Sequence, residues 1–405
     1  MIPDLEGTFS TVARNMKKSE IRELLKLTQK PGLISFAGGL PSPDSFPIEE
    51  LKEICYEILE NDGAAALQYS TTEGDTLLRE QLIKRYRSYG LDIGLENLVI
   101  TTASQQGLDL LGKIFIDPGD PIICGLPSYL GGISAFASYG ARMIGIPFDE
   151  HGMRSDELRQ VLSEMKSEGK KPKFIYIIPD FQNPAGITMP EFRRKEIISL
   201  AHEFDVLIIE DSPYREIRFE GEHQPMIYGL DGKGQVITLG TFSKTFVPGF
   251  RIGWVIAHPD IIDKFVMAKQ SADLCTPTFV QKIAARYLEK GLFEKNLKKI
   301  IASYREKRDL MLESFRKYMP EGVSWTEPEG GLFLFLTLPP HLDAQKLFLK
   351  AVEKNVAFVI GSVFHCNETG KNTMRINFSY VSKEQNVEGV KRLAGVIREA
   401  LEESA

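Results

Sequence analysis

The stretch GTFSKTFVPGFRIGW, Gly240 to Trp254, decides how this chain is read. It joins two apolar, strand-like runs, VITL before it and IGWVIA after it, through a hydroxyl-rich turn that holds Lys244, with Arg251 seven residues on. A lone lysine ordinarily belongs in water as a solvated surface charge. The connection from Gly240 to Phe250 contains Pro248 and Gly249 and is too short for the helical crossover that returns a strand in parallel. The strand beginning near Arg251 is therefore expected to run antiparallel to the one ending at Leu239, which puts Lys244 and Arg251 at the same edge of a sheet.

Working outward, short apolar runs alternate with helical patterns between residues 97 and 257. The runs are NLVIT (97–101), PIICG (121–125), ARMIGI (141–146), KFIYII (173–178), DVLII (205–209), QVITL (235–239) and RIGWVIA (251–257). Between them, LDLLGKIF sets Leu108, Leu111, Ile114 and Phe115 on one helical face. This alternation predicts an α/β fold with a mostly parallel seven-stranded sheet and helices on both faces. After Thr278 come long helical segments, then Gly330-Gly331, the run LFLFLTL, a helix, strands near VAFVI and MRINFSY, and a terminal helix, the pattern of a smaller α+β domain. The expected organisation is an N-terminal arm over 1–45, a large domain over 46–285 and a small domain over 286–405.

At 405 residues, with 43% hydrophobic and 26% charged residues, the chain has globular proportions and is too long for one ordinary core. A net charge of −6 and a pI near 5.7 give no basic footprint for nucleic acid or anionic membrane, so small-molecule partners are expected. The opening MIPDLEGTFSTVARNMKKSE has no continuous apolar core, and no run approaches the ~20 apolar residues of a membrane helix, so the expectation is a cytoplasmic protein. Cys55, Cys124, Cys275 and Cys366 form no CxxC pair, and the six histidines show no metal-ligating spacing. Neither a disulfide framework nor a metal site is expected.

In open α/β sheets ligands bind beyond the carboxyl ends of the strands, so the residues after each run carry the chemistry. After NLVIT, Ser104 and Gln105 open a helix whose free N–H groups suit an anion, although Ser104 could equally be a plain helix cap. After KFIYII, Asn183 precedes a proline in what could be simple turn chemistry. After DVLII, Asp211 leaves a very apolar strand, as a cap or a functional charge, with Tyr214 three residues on. After QVITL come Thr241, Ser243, Lys244 and Arg251. Each signal is weak alone. Together they supply an anion cradle, a carboxylate, a phenol, an amide and a lysine, the set that pyridoxal 5′-phosphate requires for its phosphate, ring nitrogen and aldehyde.

The order SQQGLDLL, PSY, FQNPAG, EDSPY, TFSKTFVPGFRIGW and NTMRINFSY resembles the fold-type I pyridoxal-phosphate aminotransferases. With IRELLKLTQKPG, SFAGGLPSPDSFP and ALQYSTTEGD, it looks like their subgroup of 2-aminoadipate and kynurenine aminotransferases, over essentially the whole chain. The resemblance implies ping-pong transfer of an amino group from an L-amino acid to a 2-oxo acid such as 2-oxoglutarate. It implies that Lys244 carries the internal aldimine and moves the substrate proton, that Asp211 pairs with the ring nitrogen, and that Tyr214 and Asn183 bond the phenolic oxygen. By the same resemblance Tyr129 stacks on the ring, and Ser104, Gln105, Thr241, Ser243 and Arg251 hold the phosphate. Arg375 clamps the substrate α-carboxylate with help from Asn183, and Gly39 lets the backbone approach the substrate. A homodimer with shared sites is implied, in which Tyr69 reaches the partner subunit's phosphate. Arg22 aligns with an arginine used for a distal carboxylate, although a solvated helix charge explains it as well.

The sequence departs from the usual pattern at Ser212 and at Asp180, where a charge near the site would alter substrate preference. A β-lyase or decarboxylase would use the same Lys244 and Asp211. Transcription factors that resemble the subgroup carry a winged-helix module ahead of it, which is not expected here, since the pattern begins within the first twenty residues of an acidic chain.

Overall fold

In the computed structural model the protein is described over residues 5–15 and 32–404. All seven apolar runs form strands. After a short β1 (Ile34–Ser35), they are β2 (Leu98–Thr102), β3 (Pro121–Leu126), β4 (Arg142–Asp149), β6 (Phe174–Ile177), β7 (Leu207–Asp211), β8 (Val236–Thr241) and β9 (Ile252–Ile256). An eighth strand, β5 (Gly152–Met153), adds to the β4 edge; at two residues it is too short to show a period in sequence, so the expected seven-stranded sheet has eight. Every residue of β6, β8 and β9 is buried, because helices cover both faces of a parallel sheet, which is why these strands read as continuous apolar runs.

The strand order is β2-β9-β8-β7-β6-β3-β4-β5. β3, β4, β6, β7 and β8 pair in parallel, whereas β9 runs antiparallel to both β8 and β2. The register Thr241↔Gly253 closes β8 onto β9 directly beyond the Lys244 turn, as the short Pro248-Gly249 connection requires. The carboxyl ends of β2, β6, β7 and β8 and the start of β9 therefore share one edge.

The C-terminal part builds a second sheet from β10 (Ser324–Trp325), β11 (Phe333–Thr337), β13 (Val359–Ile360) and β14 (Thr373–Asn377), all antiparallel, in the order β10-β11-β14-β13. β12 (Val356–Ala357) pairs in parallel with β1. Phe36 N donates to Ala357 O at 2.8 Å and Asn377 N to Phe36 O at 2.9 Å, so the chain around Phe36 is bonded into this unit. One apolar cluster runs from Leu108 and Ile209 through Phe333 to Val390, and it fixes the small sheet against the large one. No helix among the described residues is long and apolar enough to cross a membrane.

Candidate active site

The turn after β8 brings the Lys244 ammonium to the carbonyl of Gly39, with Nζ donating to O at 2.7 Å. Burial, then the nearby charges of Arg375 and Arg251, push this lysine down from 10.5 to about 8. It is therefore not the solvated surface charge that a lone lysine suggests. Gly39 enters the site through its carbonyl; an added Cβ there would meet only the Phe333 ring, at 3.5 Å.

Asp211 is the last residue of β7 and is buried. Its Oδ2 accepts a hydrogen bond from Tyr176 Oη at 2.7 Å, while Oδ1 has no partner. Burial raises the carboxyl to about 7, with the Tyr176 bond opposing the rise. A buried carboxylate oxygen left without a donor is costly and marks a place prepared for one.

A polar chain crosses from the large sheet to the small one. Asn183 Nδ2 donates to Tyr214 Oη at 3.1 Å, and Arg375 Nη1 donates to Asn183 Oδ1 at 2.9 Å. Arg375 Nη2 donates to Ala37 O at 2.9 Å, the rings of Phe333 and Phe364 lie 4.3 and 5.1 Å from its guanidinium carbon, and Nε has no partner. Burial lowers Arg375 to about 10 and raises the Tyr214 phenol. Tyr129, preceding the helix Leu130–Ser138, has its phenol raised first by burial and then by the Asp211 charge.

The helix Ala103–Phe115 begins at the same sheet edge with N–H groups that could hold an anion. Its N-cap, Thr102, makes no capping bond, and neither does Ser104, so the first N–H groups carry no side-chain cap. Thr102 Oγ1 and Gln106 Nε2 instead donate to Asp273 Oδ2 at 2.9 and 2.7 Å, and Lys269 holds the other oxygen at 2.6 Å, which anchors the helix start. Gly253 of β9 lies beneath it: an added Cβ would sit 2.5 Å from Ala103 C and Ser104 N, so only glycine lets the helix begin here. Gln105 Nε2 donates to Gly131 O at 3.2 Å. In the turn after β8, Ser243 Oγ lies 2.9 Å from Thr241 Oγ1, and Arg251 Nη1 reaches Ser243 Oγ at 3.5 Å. Thr241 Oγ1 donates to Ile252 O at 3.0 Å and accepts from Ser243 N at 3.1 Å, so this hydroxyl shapes the turn.

Tyr69 is 79% exposed, on the surface of the single chain. Arg22 lies outside the described residues. Asp180 does not project an open charge toward the cleft: it is buried, with Arg194 Nη2 at 2.7 Å and Arg215 Nη1 at 3.6 Å, and Arg194 and Arg215 neutralise it. The sequence reading missed Tyr176, whose signal was a phenol inside a fully apolar run, a position that demands a buried partner. It also missed the Ala37 carbonyl and the Phe333 and Phe364 rings around Arg375. All four cysteines are free, although Cys124 and Cys366 come within 3.8 Å at their sulfurs. No cluster of metal-ligating side chains occurs among the described residues.

Residues 32–393 match the family model for aminotransferase class I and II. The chain is 49% identical over 399 residues to aromatic-amino-acid aminotransferase 1 of Thermococcus litoralis, covering 98% of this chain and 96% of that protein. It is 41% identical over 393 residues to the 2-aminoadipate transaminase of Thermus thermophilus, covering 96% of each. Among solved structures, the kynurenine aminotransferase of Pyrococcus horikoshii in complex with PMP, KYN as substrates and KYA as products superposes with a TM-score of 0.96, at 48% identity over 99% of both chains.

Proposed function

The chain belongs to the class I and II aminotransferases, and from that premise we propose that it moves the amino group of an L-amino acid to a 2-oxo acid such as 2-oxoglutarate in two ping-pong half-reactions, with pyridoxal 5′-phosphate as cofactor. The donors we propose are aromatic amino acids, kynurenine and 2-aminoadipate, after the relatives above. The observation that carries the reading is the pairing, in one cleft, of a half-buried lysine bonded to the Gly39 carbonyl with a buried carboxylate that keeps one bare oxygen.

The residues fit the cofactor. Asp211 Oδ1 would accept the ring N–H, Tyr214 and Asn183 would bond the phenolic oxygen, and Tyr129 would cover the ring face. The uncapped start of Ala103–Phe115, with Ser104, Gln105, Thr241, Ser243 and Arg251, would hold the phosphate, the guanidinium by a charge-assisted fork. When bound, the cofactor supplies a protonated, electron-poor ring that accepts the electron pair released at the substrate Cα. Lys244 would tether it covalently. Once freed, its Nζ, held near neutrality by burial and by two arginines, is the base that takes the Cα proton. Arg375, already oriented by Asn183 and Ala37, fixes the α-carboxylate and so aims the Cα–H bond. Burial among Phe333, Phe364 and Tyr214 keeps water from competing for that carboxylate.

A homodimer is part of the proposal. The exposed Leu67 and Tyr69 flank Gln68, whose carbonyl accepts from Thr278 Oγ1 at 2.7 Å, and Leu274 nearby in sequence is exposed too, an apolar surface that a second copy would cover. To test the reading, the protein is mixed with pyridoxal phosphate, reduced with borohydride and digested. The expected result is a phosphopyridoxyl label on Lys244, with L-amino acids and 2-oxoglutarate giving stoichiometric 2-oxo acid and glutamate. A label elsewhere, or ammonia or carbon dioxide released without a glutamate product, would sink it.

A further inference from the structure

We propose that Tyr176 is a positioning residue that pins the Asp211 carboxylate and reserves its Oδ1 for the N–H of the cofactor ring. The inference rests on the role proposed above for Asp211. Tyr176 stands on β6, paired with Ile209 on β7 two residues before Asp211, and its hydroxyl reaches Asp211 Oδ2 at 2.7 Å. The ring has no freedom to leave. It packs edge-on against Phe136 at 5.4 Å, and on another side against Gly132, where an added Cβ would lie 3.0 Å from the ring and 3.2 Å from the hydroxyl.

Three features make this contact more than core packing. The phenol is fully buried, and burial followed by the Asp211 charge keeps it protonated, so it is a permanent donor. The bond opposes the burial that drives Asp211 toward its neutral form. The other ionisable groups that feel Asp211, Tyr129 and Tyr214, are themselves neutral phenols that give it no counter-charge. With one oxygen occupied and the other bare, the carboxylate cannot turn its occupied face to the ligand. Without Tyr176, burial would act on Asp211 unopposed and raise its carboxyl further, so that it would more readily offer the ring a hydroxyl in place of an anion.

The test compares binding of pyridoxal phosphate with that of its carbocyclic analogue, in which C–H replaces the ring nitrogen, to the cofactor-free full chain. The native protein is expected to prefer the nitrogen-bearing cofactor by about 10- to 100-fold, the range of a charge-assisted hydrogen bond. Tyr176→Phe keeps the ring and is expected to cut that preference about tenfold. If the variant weakened both ligands equally, Tyr176 would be structural only and the inference would fall. Asp211→Asn separates the two readings. A native-like preference in Asp211→Asn removes the ring-nitrogen role itself; loss there, with retention in Tyr176→Phe, removes only the role of Tyr176. Should Tyr176→Phe not fold, Gly132→Ala crowds the same ring and is expected to lower the preference in the same sense, and an unchanged preference overturns the proposal.

Discussion

Replacing Lys244 with methionine should make the cofactor-free protein more stable at neutral pH, by an amount that disappears in alkali. Lys244 ionises at about 8 in the fold against 10.5 ordinarily, so the unfolded chain binds this proton more tightly than the native one. The penalty is fully present below pH 8, shrinks as pH rises from 8 to 10.5, and is gone above. At about 1.36 kcal/mol per pH unit the gap corresponds to roughly 3 kcal/mol. The side chain keeps some contact with solvent, and the variant forfeits the bond to the Gly39 carbonyl, which together reduce the net gain to about 1–2 kcal/mol. Urea unfolding of both proteins without cofactor, at steps from pH 7 to 10.5, reads the difference as a shift in midpoint at constant slope. A gap that stays constant across that range, or a native protein more stable at pH 7, would refute the claim that the fold holds this lysine near neutrality.

Arg375→Lys replaces a fork fixed by Asn183 and Ala37 with a point charge; kcat/KM for the amino donor should fall about 100-fold while cofactor affinity stays within about twofold, and equal losses in both would contradict the carboxylate role. Asp180→Ala strands the buried Arg194 and Arg215 and should destabilise the protein by about 3–5 kcal/mol without changing the order of donor preference, measured by unfolding and by a panel of L-amino acids. Gly253→Ala forces a methyl into the backbone of Ala103 and Ser104 and should raise the Kd for pyridoxal phosphate about tenfold or more; an unchanged Kd would mean that the helix start does not hold the phosphate.

What was legible in the sequence followed from local constraints. The strand runs could be read because a sheet covered on both faces has no polar alternation to confuse the pattern, and β5 escaped because two residues carry no period. The antiparallel β9 could be read because a connection of fixed length leaves one direction open, and that alone placed Lys244 and Arg251 together. Partners distant in the chain were not legible. Asp180 looked like an open charge because Arg194 and Arg215 approach it only in the folded state. Tyr176 stood out only as a letter of the run KFIYII, because its bond to Asp211 crosses two adjacent strands. The Ala37 carbonyl could not have been found at all, since backbone acceptors have no letter in the sequence.

Around the cleft the fold departs from its own preferences. Of the seven described non-glycine residues with left-handed backbone, a conformation that L side chains adopt at a cost of about 1–3 kcal/mol, Ala103, Phe181 and Arg251, at φ of 60°, 49° and 53°, lie around this cleft. They stand at the helix start, two residues before Asn183, and at the entry to β9. Asp211 Oδ1 and Arg375 Nε are buried without partners around the same cleft. Strain and unmet polar groups are scarce in a native core because each is destabilising, and rigid neighbours are needed to hold them. Here those neighbours are the fully buried strands β6, β8 and β9, the Asp273 anchor and the Phe333 and Phe364 rings. A ligand that brings a ring N–H to Asp211 Oδ1 and a carboxylate to Arg375 would satisfy the two bare polar atoms, while the backbone strain stays in the fold and keeps the cleft in shape.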